Sequence, residues 1–169
     1  MNLIYITGAP CCGKSTLADK IRRKYNDATI LSLDAFSKSI RYVFTEFKLY
    51  TNEISIKPTI NNDKFLQFVK KYIECYFDDY NHTLIIEGCH FTPEEFMNIF
   101  PDAKVIALGI RSKEKALQQI NKKSWMANLS ENIKKEYSEK ISEYSCCLKE
   151  NAKNYLYFDI DDVDKAMDL

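Results

Sequence analysis

The sequence predicts an α/β domain, a five-stranded parallel sheet covered by helices on both faces. Five short apolar runs, at 2–7, 29–33, 84–86, 105–110 and 155–158, mostly alternate with segments of helical period. That alternation is how parallel sheets are built. The run Val105-Ile106-Ala107-Leu108-Gly109-Ile110 is apolar throughout, as a strand covered on both faces requires. Chemically distinctive residues follow the strands, where open α/β sheets bind their ligands. At 169 residues the chain suits one domain, 1–169, with a substantial core.

The first run, Leu3-Ile4-Tyr5-Ile6-Thr7, leads into Gly8-Ala9-Pro10-Cys11-Cys12-Gly13-Lys14-Ser15-Thr16. This fits G-x-x-x-x-G-K-[ST], the phosphate-binding P-loop. Leu17, Ala18, Ile21 and Tyr25 then recur at helical spacing, so strand, loop and helix stand in the order the motif needs. Gly8 and Gly13 let the backbone curl until its N–H groups point inward, and the helix N-terminus adds partial positive charge. Lys14 is placed for the β- and γ-phosphates, and the Ser15 hydroxyl for Mg²⁺. The expected ligand is a nucleoside triphosphate with Mg²⁺.

The second run, 29–33, reads as a short buried strand ending at Asp34. Phe36, Ile40, Val43, Phe44 and Phe47 mark one face of the next helix, with Asp34 at or near its N-cap. Arg41 lies two turns along the same side. From 50 to about 61 the period fails and a proline intervenes, which reads as a loop or cap. Phe65, Val69, Tyr72, Ile73, Tyr76 and Tyr80 restore a helical stripe over about 18 residues, read as core.

The third strand ends at Glu87-Gly88-Cys89-His90. Thr92-Pro93-Glu94-Glu95 announces a helix with a capping box. Arg111 follows the fourth strand, and Ala116, Leu117 and Ile120 carry a short helix. The segment 121–128 is polar, with Lys122, Lys123 and Trp125. Ser130 can cap a long helix with apolar positions Ile133, Tyr137, Ile141, Tyr144, Leu148 and Ala152, and 163–169 suggests a short terminal helix.

The net charge is zero, so neither nucleic acid nor an anionic membrane is an expected partner. No run approaches a membrane span, and no basic region precedes the first strand, so a cytoplasmic protein is expected. The six cysteines show no C-x-x-C and read as free thiols. Cys11 and Cys12 lie among inward-pointing amides, which favours a thiolate, but the plainer reading is that they merely fill loop positions.

Phosphoryl transfer needs positioning, charge neutralisation and a group that orients or deprotonates the acceptor. Asp34 is the candidate for that group, with Mg²⁺-water coordination as a second role and a plain N-cap as the alternative. Glu87 is a carboxylate ending an apolar strand, costly unless paired or near a metal, and it stands as a substrate-site candidate. Arg41 suits an anionic acceptor or a solvated helix face. His90 reads as a loop hydrogen bond or a substrate contact, and Arg111 as a strand-end cap or a nucleotide contact.

The P-loop, Leu31-Ser32-Leu33-Asp34, Ile85-Ile86-Glu87-Gly88 and the strand plus helix over 105–120 resemble P-loop small-molecule kinases. That group includes adenylate, shikimate and gluconate kinases and 2-phosphoglycerate-kinase-like proteins, to which Ile85-Ile86-Glu87-Gly88-Cys89-His90 is most similar. The resemblance implies a nucleoside-monophosphate-kinase-like fold with strand order 2-3-1-4-5. It also implies transfer of the γ-phosphate of ATP to a small-molecule hydroxyl or phosphate, a cap over about 41–61 and a lid over about 121–129. Where the nucleoside monophosphate kinases carry lid arginines, Gln119 and Lys123 stand here, and Asp34 is followed three places on by Ser37 rather than arginine. Lys122 and Lys123 are the lid cations, without arginine's bidentate fork. The rival from another class is an ATP-binding regulatory or switch protein without an acceptor. A GTPase is excluded, since none of Gly8, Gly13, Gly88 and Gly109 has Asp three places before it.

Overall fold

A computed structural model describes residues 2–25, 27–44 and 63–167. Five strands, β1 (Leu3–Gly8), β2 (Thr29–Ser32), β3 (Leu84–Glu87), β4 (Lys104–Gly109) and β5 (Leu156–Asp159), form one sheet in the order β2-β3-β1-β4-β5. Every neighbouring pair is parallel. The helices are α1 (Lys14–Lys24), α2 (Leu33–Val43), α3 (Asp63–Asp79), α4 (Pro93–Ile99), α5 (Lys113–Asn121) and α6 (Glu131–Glu150). Two 3₁₀ segments, Ser124–Met126 and Ile160–Met167, complete the described elements.

Burial follows strand position. Every residue of β3 is buried, as are all but one each of β1 and β4, whereas β2 and β5 at the edges are half-buried or exposed. The buried strand expected over 29–33 is therefore shorter and less covered: it ends at Ser32, and Leu33 opens α2. Ser32 is the N-cap of α2, and Asp34 is its second residue. The helix buries Leu33, Ser37 and Ile40, while Val43 and Phe44 are exposed rather than on a core face.

Most of the loop or cap expected over 41–61, and Phe47 with it, lies outside the described residues. In α3, Phe65, Val69, Ile73 and Tyr76 are buried, confirming the stripe as core, although Tyr80 is exposed. The Thr92 capping box is formed: its hydroxyl accepts from the Glu95 N–H, and the Glu95 carboxylate accepts from the Thr92 N–H. Such caps contribute about 1 kcal/mol. Ser130 caps α6 as expected, but that helix stops at Glu150, before Ala152, and Ile133 is exposed. The terminal helix is 3₁₀ and begins earlier, at Ile160.

Register brings the strand ends level. Ser32 pairs with Glu87, Glu87 with Ile6, Gly8 with Leu108 and Gly109 with Asp159. From β1 the chain crosses towards β2, but from β3 it crosses β1 towards β4. Neighbouring β1 and β3 therefore send their connections opposite ways, and the crevice at their carboxyl ends is the topological switch point. Helix α6 secures the adjoining edge: the Ile110 N–H donates to Ser145 Oγ at 2.8 Å, and Ser142 Oγ donates to the Arg111 carbonyl at 2.6 Å.

Candidate active site

The loop 8–13 turns tightly between β1 and α1. Gly8 has φ +130°, and a Cβ there would stand 2.0 Å from the Leu108 carbonyl oxygen, so only glycine lets β1 approach β4 so closely. Gly13, the α1 N-cap, has φ +92°, and Cys11 also takes a positive φ of 63°. These left-handed positions curl the amides into a concave, anion-binding backbone.

Lys14 is buried, and its ammonium donates to the carbonyls of Ala9 at 2.8 Å and Gly8 at 3.2 Å. Burial works against its charge, but Cys12, Cys89, Asp34 and Glu87 outweigh it and hold the pKa above an ordinary lysine's. The charge needed beside a phosphate is therefore secure. Cys12 Sγ donates to the Ala9 carbonyl at 2.7 Å. Burial raises the thiols of Cys11, Cys12 and Cys89 despite the nearby lysines, so the plainer reading of Cys11 and Cys12 is the one the structure favours.

Glu87, buried at the end of β3, accepts a hydrogen bond from Ser15 Oγ at 3.1 Å. That bond compensates a carboxylate which would otherwise be costly there. Asp34 is half-exposed on the first turn of α2, with Oδ1 3.7 Å from His90 Nδ1. His90 lies behind it, 2 % exposed, with Nε2 3.0 Å from Ser37 Oγ and its ring packed against Phe65. Burial, opposed by Asp34 and reinforced by Lys14, lowers its pKa to about 4. It is a neutral link between α2 and the loop after β3. Asp34, Cys89 and His90 each place one donor atom within 4.8 Å of the others, and the Lys14 charge acts on this trio as it does on Glu87.

These groups surround a cleft of about 580 Å³, a size suited to small ligands. Pro10, Cys11 and Gly13 to Thr16 line it, with Asp34, Glu87 and Cys89; Lys123 and Trp125 come from the region expected as a lid, and Tyr137 from α6. That region is a 3₁₀ turn pinned by fully buried Met126, which leaves Trp125 62 % exposed. A second cavity, about 210 Å³, opens at the amino-terminal edge of the strands beside Asn2, Lys24 and Thr83, away from the P-loop.

Of the candidates, Lys14, Ser15, Asp34, Glu87 and Lys123 converge on the cleft, whereas Arg41, Arg111 and Lys122 lie outside its lining. The Arg41 guanidinium sits 5.6 Å from the Tyr42 ring centre. Arg111 donates to both oxygens of Asp159, at 2.6 to 3.1 Å, tying the ends of β4 and β5. Lys38, Cys89, Trp125 and Tyr137 also line the cleft but were not foreseen as site residues. Lys38 alone carried a legible signal, standing one helical turn after Asp34.

A Gly-Lys-Ser loop after the central strand of a parallel 2-3-1-4-5 sheet defines the α/β P-loop nucleoside-triphosphatase fold. Solved structures that share it include two kinases. A gluconokinase from Sinorhizobium meliloti 1021 superposes with a TM-score of 0.60 at 10 % identity, covering 99 % of this chain and 87 % of that one. A shikimate kinase from Bacteroides thetaiotaomicron gives 0.57 at 16 % identity, covering 98 % and 93 %. The fold expected from the resemblance is thus observed. No family profile and no curated protein matches the sequence. Among the described residues, no helix is long and apolar enough to cross a membrane.

Proposed function

We propose that this chain is an ATP-dependent phosphotransferase that moves the γ-phosphoryl group of Mg-ATP to a hydroxyl of a small-molecule acceptor. The observation that carries the reading is the meeting of Lys14, the Ser15–Glu87 pair and Asp34 in one cleft at the sheet's switch point. The names of two proteins of the same fold, a gluconokinase and a shikimate kinase, support it.

The loop amides and Lys14 hold the β- and γ-phosphates and neutralise charge that spreads over the transferring group. Ser15 Oγ and Glu87 Oε2 are hard oxygens 3.1 Å apart, close to the roughly 3 Å between adjacent ligands of an octahedron at about 2.1 Å. They fit Mg²⁺, which Ser15 and Glu87 would hold. When bound there, the ion supplies Lewis-acid neutralisation of the phosphate oxygens. Asp34, half-exposed at the cleft, orients the acceptor hydroxyl and takes its proton. His90 and Ser37 fix the first turn of α2 behind it. Lys123, near Cys11, adds positive charge over the phosphates, and Trp125 and Tyr137 line the same cleft.

The test is transfer of labelled γ-phosphate from ATP to a panel of small hydroxy compounds, with wild type and Lys14→Ala in parallel. Labelled product that depends on acceptor and on Lys14 is expected. Tight ATP binding with no acceptor-dependent transfer would favour an ATP-binding switch instead.

A further inference from the structure

We infer that Asp34, Cys89 and His90 form a second metal site beside the phosphate cleft, for a borderline-soft divalent ion of the Zn²⁺ class. Filling it stops acceptor phosphorylation by engaging the Asp34 carboxylate. That inhibition rests on the phosphotransferase reading; the binding does not. A carboxylate oxygen of Asp34, Cys89 Sγ and a ring nitrogen of His90 lie within 4.8 Å of one another, and Asp34 Oδ1 is 3.7 Å from His90 Nδ1. Ligands of a tetrahedral Zn²⁺ stand about 3.3–3.6 Å apart, given bonds of about 2.0–2.3 Å. Asp34 is exposed, so a small rotation of its side chain closes the difference. Carboxylate, thiolate and imidazole are zinc's own donor set, and three of them leave a fourth position open.

The fold holds these donors together. Ser37 Oγ donates to the Asp34 carbonyl at 3.2 Å and lies 3.0 Å from His90 Nε2. The ring therefore donates from Nε2 and turns the lone pair of Nδ1 towards Asp34, the way ligating histidines are oriented through their second nitrogen. A Cβ at Gly88 would stand 2.8 Å from Leu33 Cβ, so glycine lets the loop carrying Cys89 and His90 close on the start of α2. His90 is buried at the back, whereas Cys89 and Asp34 line the cleft, which gives an ion its way in. Lys14 acts on all three residues, but carboxylate and thiolate together balance a divalent ion. The thiol proton leaves to solvent as the ion binds.

The two sites sort ions by softness. Ser15 and Glu87 offer oxygen alone, which suits Mg²⁺, while sulfur and nitrogen favour zinc. A carboxylate bound to zinc no longer accepts the acceptor's hydroxyl proton. Occupancy thus leaves ATP in place and stops transfer.

Co²⁺ is the spectroscopic probe, because it adopts zinc's geometry and a thiolate ligand gives it a charge-transfer band in the near ultraviolet. The experiment titrates reduced, chelator-free protein with Co²⁺ in excess Mg²⁺, then displaces it with Zn²⁺. One equivalent is expected to raise the band, and Zn²⁺ to abolish it. This wild-type signal reads the site whether or not any variant folds. Cys89→Ser should remove the band. Asp34→Asn and His90→Gln should each weaken Zn²⁺ about 10²-fold or more, and Ser37→Ala about tenfold. Cys75→Ser, at an exposed thiol of α3, should change nothing. In the labelled-phosphate assay with Mg-ATP saturating, Zn²⁺ should stop wild-type transfer without altering ATP affinity. Its half-inhibiting concentration should rise about 10²-fold in Cys89→Ser. No band in the wild type, or an equal band in Cys89→Ser, overturns the site. Activation by Zn²⁺, or equal inhibition of both proteins as zinc replacing Mg²⁺ on ATP would cause, overturns the inhibitory effect. A cobalt band with no transfer to any acceptor in metal-free Mg-ATP assays overturns the phosphotransferase reading and leaves the metal site standing.

Discussion

Ser15 Oγ donates to Glu87 Oε2 at 3.1 Å, joining the first turn of α1 to the end of β3 over a sequence separation of 72. In the proposed function this hydroxyl and carboxylate are the residues that would hold Mg²⁺. ATP affinity should therefore rise with Mg²⁺, and Ser15→Ala should shrink that dependence by about tenfold. Isothermal titration with ATP, with and without the metal, checks it. Identical metal dependence in both proteins would remove Ser15 from the metal site.

Lys14 is expected to carry the charge stabilisation of the transferring phosphate. Lys14→Ala should lower phosphoryl transfer by about 10²- to 10³-fold, the scale for losing one preorganised electrostatic donor, and weaken ATP binding. The measurement is ATP turnover beside ATP titration. Unchanged values for both would overturn the role.

Asp34 separates catalysis from stability. Because Ser32 is the N-cap, Asp34→Asn removes only a favourable charge near the helix N-terminus, worth about 0.3–1 kcal/mol. Thermal unfolding should shift little. Acceptor-dependent turnover should fall about 10²-fold or more, with ATP affinity nearly unchanged. Full activity in Asp34→Asn would leave Glu87 as the next carboxylate to examine.

His90 makes stability depend on pH. Its folded pKa is about 4, below an unfolded value near 6.5. Between these limits the unfolded chain binds a proton that the native state refuses. Its contribution is full above about pH 6.5 and is lost as pH falls towards 4. The loss is of order 3 kcal/mol. Urea unfolding at pH 7, 6, 5 and 4 should show a slope that His90→Gln flattens. An unchanged slope in the variant would assign the acid sensitivity to other groups.

Local patterns determined what neighbours within four residues can encode. The P-loop with its flanking strand and helix, the Thr92 capping box, the Ser130 cap and the apolar runs of all five strands were legible, because each is set by steric and hydrogen-bond rules acting over one or two turns. Tertiary structure decided the rest. Parallel register brought Ser15 to Glu87 and Arg111 to Asp159, pairings whose partners are 72 and 48 positions away and carry no local signature. Edge position, rather than composition, left β2 half-covered and freed Val43 and Phe44 from the core. The choice between Lys38 and Arg41, both on the Asp34 side of α2 by helical period, also needed three dimensions. Only Lys38 lines the cleft, because a helix face is wider than the pocket it borders.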